Sequence, residues 1–174
     1  RGPTPGKDSP IPGIRILQKL GVGGTASVFE AMDVANRRRA ALKIIHPSLA
    51  KDEKQLKRFQ REAKLLIEFE HPNLVKGYDQ GMMGPVAYFL MEYLEGETAE
   101  ELLEREKRCT EARSLEIVLE TAKGIDYLQS KGILHRDIKP GNIMVLPNGG
   151  VKLMDLGFAQ EMAAGAEGEE ETTS

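Results

Sequence analysis

His135-Arg136-Asp137-Ile138-Lys139-Pro140-Gly141-Asn142 packs a potential general base, two cations and an amide able to ligate a metal into eight residues that follow a predicted helix. Downstream, two short apolar pieces, 143–146 and 151–154, flank Pro147-Asn148-Gly149-Gly150. Asn-Gly between apolar runs predicts a hairpin. That hairpin leads into Asp155-Leu156-Gly157 and places a second acid near the first. A chance occurrence of H-R-D-x-K-P-x-N followed by D-x-G is very rare, so the upstream sequence can be read for the partners this pair needs.

Residues 99–130 read as helical with a break near Cys109-Thr110. In the second part Leu115, Val118, Ala122 and Ile125 form one apolar stripe. Residues 52–69 read as an amphipathic helix, because Leu56, Phe59, Ala63, Leu66 and Ile67 recur at three- and four-residue steps against a charged face. His71-Pro72-Asn73 ends it, since a proline disfavours helix in the residue before it. Around this helix five strands are predicted: one over Ile14–Leu20, a return strand through Val28, Phe29 and Ala31, then 40–45, 74–79 and 86–93, the last two about a Gly-Met-Met-Gly-Pro turn.

Between the first two strands lies Gly21-Val22-Gly23-Gly24-Thr25-Ala26-Ser27-Val28. Gly21 and Gly23 leave backbone N–H groups open to close approach by a polyphosphate. Alone, such a run also fits an ordinary tight hairpin, and a strand after it excludes the dinucleotide-binding fingerprint. Ala41-Leu42-Lys43 lies on the third strand among apolar residues. A lysine there needs a partner, and Glu62 on the following helix is the natural one.

These motifs, in this order, resemble the eukaryotic-type protein kinase family, close in style to bacterial Ser/Thr kinases, over residues 14–160. The resemblance implies an α+β protein-kinase-like fold: a five-stranded antiparallel N-lobe with one helix over 14–94, and a partial, mainly helical C-lobe over 95–160. It implies ATP and Mg²⁺ as cofactors and a protein substrate. Gly21 and Gly23 would cover the phosphates, Lys43 would hold them and pair with Glu62, and Asp137 would orient the attacking hydroxyl. Lys139 would stabilise the transferred phosphoryl and favours Ser/Thr specificity; Asn142 and Asp155 would bind Mg²⁺. Met91, Glu92, Tyr93 and Leu94 would edge the adenine, with Val28, Ala41 and Met144 sandwiching it. Such chemistry needs in-line positioning and charge neutralisation rather than covalent help, and no member of the set has been replaced.

Three departures accompany the match. Ala26 stands for a third glycine, Leu156 for the usual Phe, and Gly77 for an apolar residue in the column linking the helix to His135. Leu156 is expected to pack under the helix; Gly77 is expected to loosen the column. The family's activation segment and later helices are not in this sequence, so exposed apolar surface, and with it self-association, is expected on the helix spanning 115–128.

Composition agrees with this reading. The 174 residues carry a formal net charge of −3 and are 40% hydrophobic, which suits one bilobal domain and disfavours nucleic-acid binding. One cysteine, Cys109, and no apolar run of membrane length suggest a cytoplasmic protein without a membrane segment. No signal peptide is visible, and the opening Arg1 suggests a piece of something longer. Residues 1–13, rich in Pro and Gly, read as a flexible leader; 161–174 read as a truncated activation segment, disordered and acidic, with Thr172 and Thr173 where a phosphosite would pair with Arg136. Three functions are compatible with the sequence: a competent kinase core, a nucleotide-binding regulatory or scaffold module with little transfer, or an ATP-dependent small-molecule phosphotransferase of the same fold, which Lys139-Pro140 disfavours.

Overall fold

A computed structural model describes residues 11–162. The disorder expected from Ala163 onward and the phosphosites at Thr172 and Thr173 lie outside them, as does most of the leader. The chain runs β1 (Ile14–Val22), β2 (Ala26–Asp33), β3 (Arg38–Ile45), α1 (Glu53–Glu68), β4 (Gly77–Met83) and β5 (Val86–Glu92). It continues through β6 (Glu97–Thr98), α2 (Ala99–Glu106), α3 (Glu111–Ser130), β7 (Ile133–Leu134), a 3-10 turn at Pro140–Asn142, β8 (Ile143–Val145), β9 (Val151–Leu153) and β10 (Gln160–Glu161). The first five strands form one antiparallel sheet in the order β1-β2-β3-β5-β4, as expected.

Strand β3 shows how the sheet serves the site. Its side chains alternate between faces: Ala40 and Leu42 join Ile11, Ile14, Ala31 and Leu90 in an outer cluster, while Ala41 and Lys43 face a cleft. Ile11 is buried there, although the sequence placed it in the leader: an isoleucine with an apolar cluster to enter is held, and the Ile14 N–H donates to its carbonyl (3.2 Å). Helix α1 is capped by Asp52, whose carboxylate accepts from the N–H groups of Lys54 and Gln55, and buries Phe59, Glu62, Ala63, Leu65 and Leu66.

Two segments depart from the predicted pattern. Residues 73–75 are not part of β4. They bridge β9 in parallel fashion, with the Val75 N–H donating to the Leu153 carbonyl (3.1 Å) and the Leu153 N–H to the Asn73 carbonyl (2.8 Å). β4 itself runs on to Met83, so the turn is the Gly84-Pro85 pair, with Gly84 at φ 57°. The Asn73 amide secures the bridge by donating to the Val151 carbonyl (2.9 Å) and to Glu120 (2.8 Å).

Gly77 is the second departure, and it corrects the expectation of a loosened column. A Cβ at Gly77 would lie 2.6 Å from the Ile67 nitrogen and 2.6 Å from the Leu66 carbonyl carbon. The backbone of α1 occupies the space a side chain would have filled. The column is closed by the helix coming nearer, and Leu66, Leu156 and His135 are all buried below it.

α2 and α3 break as predicted. Lys107 ends α2 in the left-handed region, Thr98 and Glu101 form a capping box at its start, and Thr110 caps α3. The face of α3 that meets the core consists of Ile117, Thr121, Gly124 and Leu128. Gly124 lets the helix close on the bridge segment, where a Cβ would come 2.8 Å from the Asn73 carbonyl oxygen. The Leu115–Val118–Ala122 stripe points outward, with Leu115 57% and Val118 62% exposed, as expected for that helix. Among the described residues no helix is long and apolar enough to cross a membrane.

Candidate active site

A cleft of about 680 Å³ opens between the sheet and the segment that follows it. Gly21, Gly23, Val28, Ala41, Lys43, Glu62, Met91, Glu92, Tyr93, Leu94, Asn142, Met144 and Asp155, all singled out from sequence, line it together. Asp137 and Lys139 do not line it. They stand beside it and reach it through Asn142, whose amide donates to the Asp137 carbonyl and to Asp137 Oδ2, both at 2.9 Å; Lys139 Nζ lies 3.4 Å from the same Oδ2.

The Lys43–Glu62 pair forms with an Nζ–Oε1 distance of 2.7 Å. Burial works against the Lys43 ammonium, but the charges of Glu62 and Asp155 outweigh it and hold its pKa above the ordinary lysine value. Burial, helped by Asp155, keeps the Glu62 carboxyl above the usual carboxylate range in spite of Lys43. Removing either partner would strand a buried charge. The chain next to this pair is tight at Gly157, where a Cβ would come 3.0 Å from Asp155 Oδ1.

Two residues here hold left-handed backbones without being glycine, Arg136 at φ 68° and Asp155 at φ 60°. Such conformations persist when their surroundings over-determine them. His135 provides the constraint. The Asp137 N–H donates to its Nδ1 (3.2 Å), so Nε2 carries the proton and donates to the Met154 carbonyl (2.9 Å). One imidazole thus ties the turn before Asp137 to the residue before Asp155. The Met154 N–H donates to the Asn142 carbonyl (2.9 Å), closing the loop around both acids.

Leu156 is buried in the main core beside α1, as expected. After it the chain stays on α1: Arg58 donates to the Gly157 carbonyl (3.3 Å) and covers the Phe158 ring, and Arg61 pairs with Glu161 (3.3 Å). β10 then pairs with β7, just before His135. No sequence pattern marked these two short strands.

A protein kinase domain match extends over residues 14–174. This chain belongs to the protein kinase domain family. The kinase domain is 36% identical over 148 residues to the serine/threonine-protein kinase PknB of Mycobacterium tuberculosis, covering 83% of this chain and 24% of that protein. It is 39% identical over 147 residues to a probable serine/threonine-protein kinase of Streptomyces coelicolor, covering 82% and 22%. A probable serine/threonine-protein kinase of Clostridium acetobutylicum is 36% identical over 146 residues, covering 84% and 22%. The chain therefore spans about a quarter of the length of the curated relatives it matches.

Sequence reasoning passed over several residues of this kinase-domain cleft: Leu20, Val22, Val75, Thr98, Glu100 and Met154 also line it. Val75 was hidden because its segment read as sheet. Thr98 and Glu100 sit at the start of α2, where the Thr98–Glu101 capping-box spacing marks a helix end and not a site.

The linker after β5 has its own geometry. The Glu92 side chain pairs with Lys152 on β9 (2.8 Å), and the Glu92 N–H donates to the Lys76 carbonyl (2.8 Å). The Leu94 N–H and C=O have no hydrogen bond to any other described residue. A donor and an acceptor thus stand free at the cleft edge, two residues beyond Glu92.

Proposed function

We propose that this chain is the ATP- and Mg²⁺-dependent phosphoryl-transfer core of a serine/threonine protein kinase, with an N-lobe over 14–94 and part of a C-lobe over 95–160. One observation carries the reading. A glycine hairpin, a buried lysine–glutamate pair, a free backbone donor–acceptor edge and two oxygen-bearing side chains all converge on a single cleft. The relatives' names, all serine/threonine-protein kinases, support the class of acceptor.

The purine fits between Val28 and Ala41 above and Met144 below, with Met91 behind it and the Leu94 N–H and C=O free to read its edge. Gly21 and Gly23 cover the phosphates, and Lys43, held by Glu62, neutralises them. The donor set suits Mg²⁺. Both hydrogens of the Asn142 amide side are spent on Asp137, leaving Oδ1 free, while Asp155 Oδ1 accepts from the Gly157 N–H (3.0 Å), leaving Oδ2 free. Two protein oxygens are the usual complement for a magnesium ion that also takes phosphate and water. When bound, the ion supplies neutralisation of the charge that develops on the phosphates. Asp137 orients the acceptor hydroxyl and takes its proton, and Lys139 meets the phosphoryl group as it moves.

The test is transfer of γ-labelled phosphate by the full-length protein, followed by phosphoamino-acid analysis. Label on serine or threonine of a protein acceptor is expected. Label confined to small-molecule acceptors, or none on any acceptor, would overturn the reading; nucleotide binding without transfer would favour a regulatory module.

A further inference from the structure

His46 follows β3 directly and does not line the cleft, yet it holds the tip of the glycine hairpin by two contacts. Its backbone N–H donates to the Thr25 carbonyl (2.9 Å), and its ring Nε2 lies 2.8 Å from the Gly23 carbonyl oxygen. A carbonyl only accepts, so Nε2 carries the proton in that contact. The hairpin closes on itself through the Gly23 N–H, which donates to the Ala26 carbonyl (2.9 Å). The Gly24 and Thr25 N–H groups have no hydrogen bond to any other described residue.

The peptide plane turns this into a statement about direction. In a trans peptide the C=O and the following N–H point opposite ways. Holding the Gly23 oxygen toward His46 therefore sends the Gly24 N–H the other way. Glycine at positions 23 and 24 leaves this plane free to rotate when nothing holds it. A Cβ at Gly24 would meet nothing within 4 Å, so no packed neighbour holds that residue. Among the described residues the hydrogen bond on the Gly23 carbonyl comes from His46. The residue is itself braced, because its carbonyl accepts from the N–H groups of Leu49 (2.8 Å) and Ala50 (3.0 Å) in the turn leading to α1.

We infer that His46 is a positioning residue for the polyphosphate: it latches the Gly23–Gly24 peptide so that the Gly24 N–H is presented to the phosphates. The inference rests on the cleft being a nucleotide site and adds a residue outside its lining. Because the latch touches only the phosphate end, it separates ATP from adenosine.

The test compares Mg-ATP and adenosine binding by calorimetry in wild type, His46→Ala and His46→Gln, with amide hydrogen exchange at Gly24 and Thr25 in the ligand-free chain. His46→Ala is expected to weaken ATP roughly tenfold, the scale of one well-placed hydrogen bond to a charged group, with adenosine unchanged and exchange at the tip faster. His46→Gln, whose amide can donate to the same carbonyl, is expected to recover most of the ATP affinity. Equal loss for both ligands, or no change in either, overturns the inference and leaves the nucleotide site standing. Binding of neither ligand by wild type overturns the site itself, and the inference with it.

Discussion

Asp137→Asn is expected to lower phosphoryl transfer by roughly 10²–10⁴-fold, the usual contribution of a positioned general base, while Mg-ATP binding stays close to wild type. The substitution is nearly isosteric, and an asparagine can still offer its side-chain oxygen to the Asn142 amide, now 2.9 Å from Asp137 Oδ2. The backbone contact from Asn142 to the residue-137 carbonyl, also 2.9 Å, is untouched. What disappears is a carboxylate able to take a proton. Single-turnover transfer beside a nucleotide titration separates the two effects. Equal loss of binding and transfer would mean that Asp137 acts by holding the loop and not on the acceptor.

Gly77→Ala is expected to destabilise the protein by about 3 kcal/mol, the upper end of the usual cost of overpacking. The direction is what matters. If Gly77 were a gap in the column beneath α1, a methyl group would fill it and stabilise the fold. Instead the added Cβ would sit 2.6 Å from two backbone atoms of α1, and backbone yields less readily than a side chain. No positive φ complicates the substitution, since Gly77 is not among the residues in the left-handed region. To make room, the end of α1 must lift from β4, and Glu62 is carried on the same helix. Urea unfolding would measure the loss as a lower midpoint at unchanged slope. A higher midpoint would restore the gap.

Gly77 also marks where sequence reading stops. The five strands, α1 and the Lys43–Glu62 partnership were legible because each has a local signature: alternation, a three-to-four period, a charge among apolar residues. Leu74 and Val75 have the composition of a strand, but the bridge they belong to joins Leu74 to Leu153 on β9, nearly eighty positions away. Only topology decides that. On α3 the apolar stripe through Leu115 and Val118 drew the eye, while the face that packs uses Thr121 and Gly124. Close approach needs small residues, and hydropathy does not register them. The same holds for His46, whose role depends on where a hairpin tip lands, and for Ile11, which a Pro- and Gly-rich neighbourhood disguised as leader.

The acids at 137 and 155 were legible as a pair, but the means of joining them was not. One histidine tautomer and one amide, His135 and Asn142, connect the two turns. The surroundings of the two acids differ: Asp137 lies beside Lys139 outside the cleft, and Asp155 lies within it near Lys43.

Thermal unfolding of the chain with and without Mg-ATP bears most directly on the claim that this cleft is a nucleotide site. At about 100 times the dissociation constant the nucleotide should add about 2.7 kcal/mol of stability. A saturable rise in melting temperature is expected with Mg-ATP, reduced when Mg²⁺ is chelated and absent in Lys43→Ala and Asp155→Ala. An unchanged melting temperature in wild type at saturating Mg-ATP would contradict it.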